Sequence, residues 1–255
     1  MSSVKQSVTW DLATRQLLLP KLGHEPCECE DAIAVDTQNW RFAVADGATE
    51  AFDARNWAQR LAQSWVQNQP AATLEEFREW VAAEGRELRD SWDGLSLSWY
   101  SEEKARTGSF AALVGVELDL KTDSPSWKAI ALGDSCLLHC RQGTLLKSLP
   151  LCRSESFCSA PVLVASDSSM HEAAMKSVVI DSGSCESGDV LLLLSDGVAS
   201  WYLERFEKEE FTPSDFFETK EDDELMRFFD DERLAGRMRN DDVAIVRIEI
   251  KRRKN

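Results

Sequence analysis

The sequence has 255 residues, of which 43% are hydrophobic and 29% charged, a composition typical of a folded globular protein. Its 29 basic and 45 acidic residues give a formal net charge of −16, so most of its surface would repel a phosphate backbone and no nucleic-acid partner is expected. No apolar run approaches the ~20 residues needed to span a bilayer, and the N-terminus lacks the apolar centre of a secretory signal. We therefore expect a single domain over residues 1–255, located in the cytoplasm with no membrane partner.

The first half of the chain predicts one buried strand and two helices. Residues 42–45 are a short continuous apolar run, which favours a strand covered on both faces. Apolar residues recur at helical spacing over residues 53–67, which indicates an amphipathic helix. Thr73 and Glu76 form a capping-box sequence, so a second helix is predicted from there towards Leu88.

Four segments further along the chain predict strands of two kinds. Residues 129–132 and 190–194 are continuous apolar runs and are expected to be central strands. Residues 114–120 and 246–250 alternate apolar with small or charged residues, which predicts strands with one face in water.

The remaining local signals indicate how these elements are arranged. The Gln142-Gly143 pair predicts a tight hairpin turn and therefore antiparallel pairing. A third helix is predicted over residues 222–238, with Leu225, Phe228 and Phe229 on its inner side. Together these elements predict a layered α and β domain with antiparallel sheets.

Acidic residues stand next to several predicted strands. Carboxylates beside buried strands are costly unless a positive charge compensates them, and no matching set of Lys or Arg occupies these segments, so a bound cation is expected. An Asp-Gly pair alone is better interpreted as a hairpin turn, but the whole set favours an oxygen-ligated Mg²⁺ or Mn²⁺ site. The set comprises Glu30-Asp31, Asp46-Gly47, Asp134, Asp196-Gly197 and Asp241-Asp242.

Other chemistries have weaker support in the sequence. The three histidines form no H-E-x-x-H pattern, and the usual nucleotide-binding and serine-hydrolase motifs do not occur. The Cys27-x-Cys29 and Cys136-x-x-His139-Cys140 motifs lack a second pair at zinc-ribbon spacing, so reduced structural cysteines are the favoured interpretation and a zinc site is the alternative.

Six segments in this order resemble the metal-dependent protein phosphatases, the type 2C serine/threonine phosphatases, and in particular their compact bacterial branch. The resemblance implies an α+β fold, a four-layer αββα sandwich of two antiparallel sheets flanked by helices. It also implies two Mn²⁺ or Mg²⁺ ions in a cleft at one end of the sandwich. The segments are ECEDAIAV, RFAVADGATEAF, TGSFAALVGVEL, AIALGDSCLLHCR, VLLLLSDGVASW and RNDDVAIVRIEI.

The resemblance also implies roles for individual residues. Asp46 matches the aspartate that bridges the two metals, and the Gly47 carbonyl matches a backbone ligand. Asp46 and Asp196 are the expected catalytic residues. The carboxylates that match ligands of the other ion are Glu30, Asp196 and Asp241, while Asp134 and Asp31 match positions near a third, weaker ion of some members.

Three positions depart from the family pattern. Residues 24–29 contain no arginine where the family places one that grips the substrate phosphate, and His24 is a weak substitute. Ala48 and Thr49 stand where other members have a histidine after the Asp-Gly pair. Ser200 stands where many members have another aspartate, which would weaken a third metal site.

The function implied is hydrolysis of phosphoserine and phosphothreonine in proteins by a metal-activated water, on substrates of a serine/threonine kinase in a signalling system. No cysteine is needed, so activity is expected to resist thiol-alkylating reagents. One alternative is a catalytically weak or inactive sensor or scaffold that keeps the fold, although retained acids argue against it because a scaffold could replace them with apolar residues. A third interpretation is a hydrolase that acts on another type of ester.

Overall fold

Two antiparallel sheets packed face to face form the centre of the computed structural model, which describes residues 9–68, 73–209 and 221–253. Sheet 1 has the strand order β1-β11-β10-β6-β7, and sheet 2 has the order β2-β3-β4-β5-β9, with β8 paired to β4. The strands are β1 (Trp10–Leu19), β2 (Asp31–Asp36), β3 (Arg41–Gly47), β4 (Phe110–Asp119), β5 (Ser126–Leu132), β6 (Cys136–Arg141), β7 (Thr144–Leu149), β8 (Val164–Ala165), β9 (Val179–Ser184), β10 (Val190–Leu194) and β11 (Val243–Arg252).

Helices cover the outer faces of both sheets, which confirms the predicted α+β sandwich. The helices are α1 (Ala54–Gln67), α2 (Leu74–Asp90), α3 (Trp99–Thr107), α4 (His171–Ala174), α5 (Asp196–Glu207) and α6 (Asp222–Leu234). Apolar side chains of α1 and α2 pack on sheet 2, and those of α5 and α6 pack on sheet 1. A third apolar layer, which includes Val44, Leu193 and Val246, fills the space between the sheets.

The three predicted helices are present. The capping box of α2 is formed as expected, since the Thr73 N–H donates to Glu76 Oε2 at 3.0 Å and the Glu76 N–H donates to Thr73 Oγ1 at 3.2 Å. The helix α6 ends at Leu234, four residues before the predicted end at 238, because Gly236 adopts a left-handed conformation with φ +67°.

The prediction that residues 114–120 and 246–250 have one face in water is confirmed only in part. On that face Asp119 is exposed and Glu117 and Glu249 are half-buried, but Gly115 and Arg247 are buried. The strand β4 lies beneath α1, and a Cβ at Gly115 would come within 2.3 Å of the Trp65 ring, so its small residue makes room for an aromatic side chain. The strand β11 lies between β1 and β10, and its Arg247 is buried with an ion pair to Glu249 at 3.2 Å. The faces predicted to be in water are therefore packed along only part of their length.

The strands predicted to be central from their apolar runs occupy interior positions in their sheets. The predicted hairpin is also confirmed, because Gln142 (φ 49°) and Gly143 (φ 76°) join β6 to β7 with Arg141 opposite Thr144. No helix within the described ranges is both long enough and apolar enough to cross a bilayer.

Candidate active site

Aspartates from both sheets meet at one end of the sandwich. Asp31 and Asp46 are register partners on β2 and β3, and they share the face of Val44, which packs between the sheets. Asp196 follows β10 directly, and Asp241 shortly precedes β11, so sheet 1 brings both to the same end.

Asp134 lies in the connection that leaves β5 of sheet 2 and enters β6 of sheet 1. It completes a group of five aspartates with Asp31, Asp46, Asp196 and Asp241, which we call the aspartate cluster. Four of them, all except Asp31, line a cleft of about 360 Å³. The other lining residues are Gly47, Ala48, Thr49, Glu50, Cys158, Ser159, Ala160, Pro161, Leu163 and Arg239.

The Asp196-Gly197 pair begins a helix, contrary to the turn that this pair suggests when taken alone. Ser195 is the N-cap of α5, and its buried Oγ accepts a hydrogen bond from the Ala244 N–H at 2.9 Å. Its hydroxyl also acts on Asp31 of the opposite sheet, where it opposes the larger effect of burial on the pKa of that carboxyl. The helix therefore starts with Asp196 fixed at the cleft, and Ser195 connects the two sheets beside it.

Gly47 is required by the close approach of three segments. Its N–H donates to the Glu30 carbonyl at 3.2 Å, and a Cβ at this position would lie 2.7 Å from the Ala54 carbonyl oxygen. Any larger residue would displace the start of α1 or the start of β2.

The electrostatics of the aspartate cluster are unfavourable without a cation. Burial, followed by the neighbouring acids, raises the pKa of Asp31 and of Asp46 well above its ordinary value. Burial and Asp196 raise the pKa of Asp134 to about 7, and burial and Asp241 raise the pKa of Asp196. The cluster thus carries more negative charge than its protein surroundings compensate.

The donor set fits a hard divalent cation in chemistry and charge. All the donors are oxygens, and the buried Oδ2 of Asp31 has no hydrogen-bond partner. Within the described ranges, no three acidic, histidine or cysteine side chains already stand close enough together to hold an ion. The carboxylates would therefore have to draw closer to coordinate one.

Glu30 lies beside the aspartate cluster, but its carboxylate is directed elsewhere. Its Oε2 accepts a hydrogen bond from the Thr49 hydroxyl at 2.6 Å and lies 3.5 Å from the Lys21 ammonium. Its backbone carbonyl accepts from the Gly47 N–H, next to Asp46. Glu30 is thus set apart from the other predicted ligands.

Two residues support the site although the sequence analysis assigned them no role. Asp242 accepts from the Lys21 N–H at 2.7 Å and from the Glu30 N–H at 2.8 Å, so it ties β11 to the chain before β2. The buried Arg233 donates to the Asp241 carbonyl at 2.6 Å. The NDD sequence marked Asp242 as part of an acidic group only, and nothing in the helical pattern distinguished Arg233.

Three other residues bear on the predictions. Arg239 Nη1 donates to Asp196 Oδ2 at 2.9 Å and lies 3.6 Å from Asp241 Oδ2. His24, the suggested substitute for a phosphate-binding arginine, is exposed and is not among the residues that line the cleft.

Cys158 is exposed in the wall of the cleft. An alkylated thiol at this position would obstruct the cleft, whereas the sequence analysis expected activity to resist thiol-alkylating reagents.

The fold and this cleft together define the type 2C serine/threonine phosphatase architecture, and the comparison with solved structures confirms the resemblance at the level of the fold. The Mycobacterium tuberculosis serine/threonine phosphatase PstP/Ppp aligns with TM-score 0.60 and 14% identity over 94% of this chain and 99% of that chain. A PstP catalytic domain in complex with two manganese ions aligns with TM-score 0.59 and 16% identity, covering 96% of this chain and 100% of that chain.

A third similar structure is PppA, described as a key regulatory component of T6SS in Pseudomonas aeruginosa. It aligns with TM-score 0.57 and 15% identity over 95% of this chain and 99% of that chain. No family model and no curated protein matches the sequence. At these identities the comparisons establish the fold, and the chemistry must be argued from the residues of this chain.

Proposed function

We propose that this protein is a metal-dependent phosphatase that removes phosphate from phosphoserine and phosphothreonine in proteins. The observation that carries the proposal is the aspartate cluster. Both sheets contribute to it at one end of a type 2C fold, and its negative charge exceeds what Arg239 can compensate. Such a cluster opposes folding unless cations bind to it. Its retention is therefore best explained by a metal-dependent activity.

Within this proposal, Asp46 and the Gly47 carbonyl would hold the metal ions from sheet 2, and Asp196 and Asp241 would hold them from sheet 1. Asp134 and Asp31 would be the residues near a weaker third ion.

In this proposal Glu30 has a positioning role beside the aspartate cluster. Its carboxylate pairs with Thr49 and Lys21, and its carbonyl accepts a hydrogen bond from the Gly47 N–H.

When bound, Mn²⁺ or Mg²⁺ would neutralise charge on the phosphoryl oxygens and lower the pKa of a coordinated water. The chain itself supplies orientation, because Ser195 and Arg233 fix the segments that bear Asp196 and Asp241. Burial raises the pKa of Cys29 to about 12 and also raises the pKa of Cys136, so neither thiol is suited to act as a nucleophile at neutral pH.

The experiment is a phosphate-release assay with a phosphopeptide panel, run with Mn²⁺, with Mg²⁺ and with a chelator. We expect release that requires the added ion and stops on chelation. Asp123→Asn is a suitable control, because Asp123 is an exposed acid in the loop before β5, at the other end of that strand from Asp134.

Binding of Mn²⁺ without turnover of any phosphopeptide would support the alternative of an inactive sensor or scaffold. Full activity after exhaustive chelation would contradict a metal-dependent reaction. The proposed setting is the cytoplasm, with substrates phosphorylated by a serine/threonine kinase.

A further inference from the structure

A single base faces the aspartate cluster. Among the described residues that line the cleft, Arg239 alone is basic, and its side chain is 56% exposed. Both of its contacts, to Asp196 at 2.9 Å and to Asp241 at 3.6 Å, are made through Nη1. A guanidinium has five N–H donors in a planar fork, so most of its donor capacity remains available towards the open cleft.

The backbone that carries Arg239 is firmly held. Asn240 Oδ1 accepts from the Leu22 N–H at 2.8 Å, and the Asp241 N–H donates to the Arg239 carbonyl at 3.0 Å. Arg233 holds the Asp241 carbonyl from the other side. An exposed side chain on an anchored backbone can turn between partners without displacing the aspartates next to it.

Two lysines near the cleft already have acidic or hydroxyl partners. Lys21 is mostly buried, and its ammonium lies 3.4 Å from the Thr49 hydroxyl and 3.5 Å from Glu30. Lys104 lies 3.5 Å from Glu50 Oε2. Residues 24–29 contain no arginine.

A phosphomonoester is dianionic near neutral pH, and carboxylates alone would repel it from this cleft. Charge-assisted pairs between a guanidinium and phosphate oxygens are among the strongest hydrogen bonds in proteins and can be bidentate. Once the charges of Asp196 and Asp241 are neutralised, the attraction that keeps Arg239 on them weakens and a phosphoryl group becomes the better partner.

We propose that Arg239, which spans Asp196 and Asp241 at the rim of the cleft, is the residue that binds the phosphoryl group of the substrate. This inference rests on the proposed phosphatase function. It assigns substrate recognition to the connection between α6 and β11.

The test compares Arg239→Gln and Arg239→Lys with a matched control, Arg237→Gln. Arg237 is a similarly exposed arginine two residues away, but it pairs with Glu232 at 2.7 Å and does not line the cleft. Calorimetry measures the affinity of each Mn²⁺-loaded variant for inorganic phosphate, and separately its affinity for Mn²⁺. Steady-state kinetics on a phosphopeptide give kcat and KM.

Arg239→Gln should weaken phosphate binding and raise KM by about 10- to 100-fold, the range expected for a lost charge-assisted hydrogen bond. Its Mn²⁺ affinity should be unchanged or higher, because a competing cation is gone. Arg239→Lys should retain part of the affinity, and Arg237→Gln should match the wild type.

Phosphate affinity within twofold of wild type in Arg239→Gln would overturn the inference. A parallel loss of Mn²⁺ affinity would also overturn it, since Arg239 would then serve only to position the carboxylates. A Mn²⁺-loaded wild type that binds no phosphate would do the same. If the wild type binds phosphate but hydrolyses no phosphopeptide, the proposed function fails while the binding comparison still decides the role of Arg239.

Discussion

Replacing Asp134 with asparagine should make the metal-free protein more stable at pH 8. Asparagine keeps the size of the side chain but removes a charge that burial and Asp196 make unfavourable. The pKa of Asp134 is raised from 3.8 to about 7. This rise in pKa corresponds to a loss of about 4 kcal/mol in folding stability when the group is fully ionised, because one pKa unit is worth about 1.4 kcal/mol. Water and counter-ions relax part of that cost, so we expect a gain of about 1–3 kcal/mol.

The pH dependence has a definite sign. The native state keeps the Asp134 proton up to about pH 7, whereas the unfolded chain releases it near 3.8. Between these values the native state binds more protons, so this group lowers the stability of the wild type as pH rises through the interval. The advantage of the variant should therefore be complete above about pH 7 and should shrink steadily towards pH 4.

The assay is urea unfolding with a chelator present at pH 8, 6 and 4, with Asp123→Asn as the control for loss of one surface charge. Added Mn²⁺ should stabilise the wild type more than Asp134→Asn, because the ion offsets the same charge. Equal unfolding midpoints of the wild type and Asp134→Asn at pH 8 would refute the reasoning, as would a gain that stays unchanged at pH 4.

Three further outcomes are expected. Asp46→Asn should lower Mn²⁺-dependent phosphate release about a hundredfold or more while folding survives, and the assignment is wrong if it keeps near-normal release and metal affinity whereas Asp134→Asn does not. Asp189→Ala should destabilise the protein by about 2–4 kcal/mol in urea unfolding, because it leaves His139 and Arg141 without their buried partner, and an unchanged midpoint would contradict this. Hydrogen bonds from Arg141 and His139 overcome the effect of burial and lower the pKa of Asp189, so this contribution should be complete above about pH 4 and lost on further acidification. Iodoacetamide should slow phosphate release, because alkylated Cys158 would obstruct the cleft. The Cys158→Ser variant should keep its activity and resist the reagent. Equal inhibition of both proteins would show that the reagent acts at another cysteine.

Much of the site could be predicted because its acids adjoin strand ends. The run that contains Val44 reveals a buried strand, and strand periodicity then places Asp46 at its end on the inner face. The register that sets Asp31 opposite Asp46 follows from a short connection between two antiparallel strands.

The remaining features depend on contacts between distant parts of the chain. Whether Asp196-Gly197 begins a helix or a turn is decided by the packing of α5 on sheet 1, which local sequence does not encode. Gly115 resembles a solvent-facing position until Trp65 is placed over it. Arg239 looks like one more surface arginine, since only the folded chain brings it to Asp196.

The pairing of β1 with β11 determines when the cleft can exist. These strands are paired along their whole length, from Trp10 with Arg252 to Leu19 with Val243, although they are more than two hundred residues apart in the sequence. During translation, residues 31 and 46 leave the ribosome long before residue 241. Sheet 1 therefore closes only when the late strand is synthesised, and such long-range pairing is slow. Until β11 is synthesised, a nascent chain carries Asp31, Asp46, Asp134 and Asp196 but not Asp241, and sheet 1 lacks the strand that joins β1 to β10. The chain therefore gains the complete aspartate cluster only with that late strand.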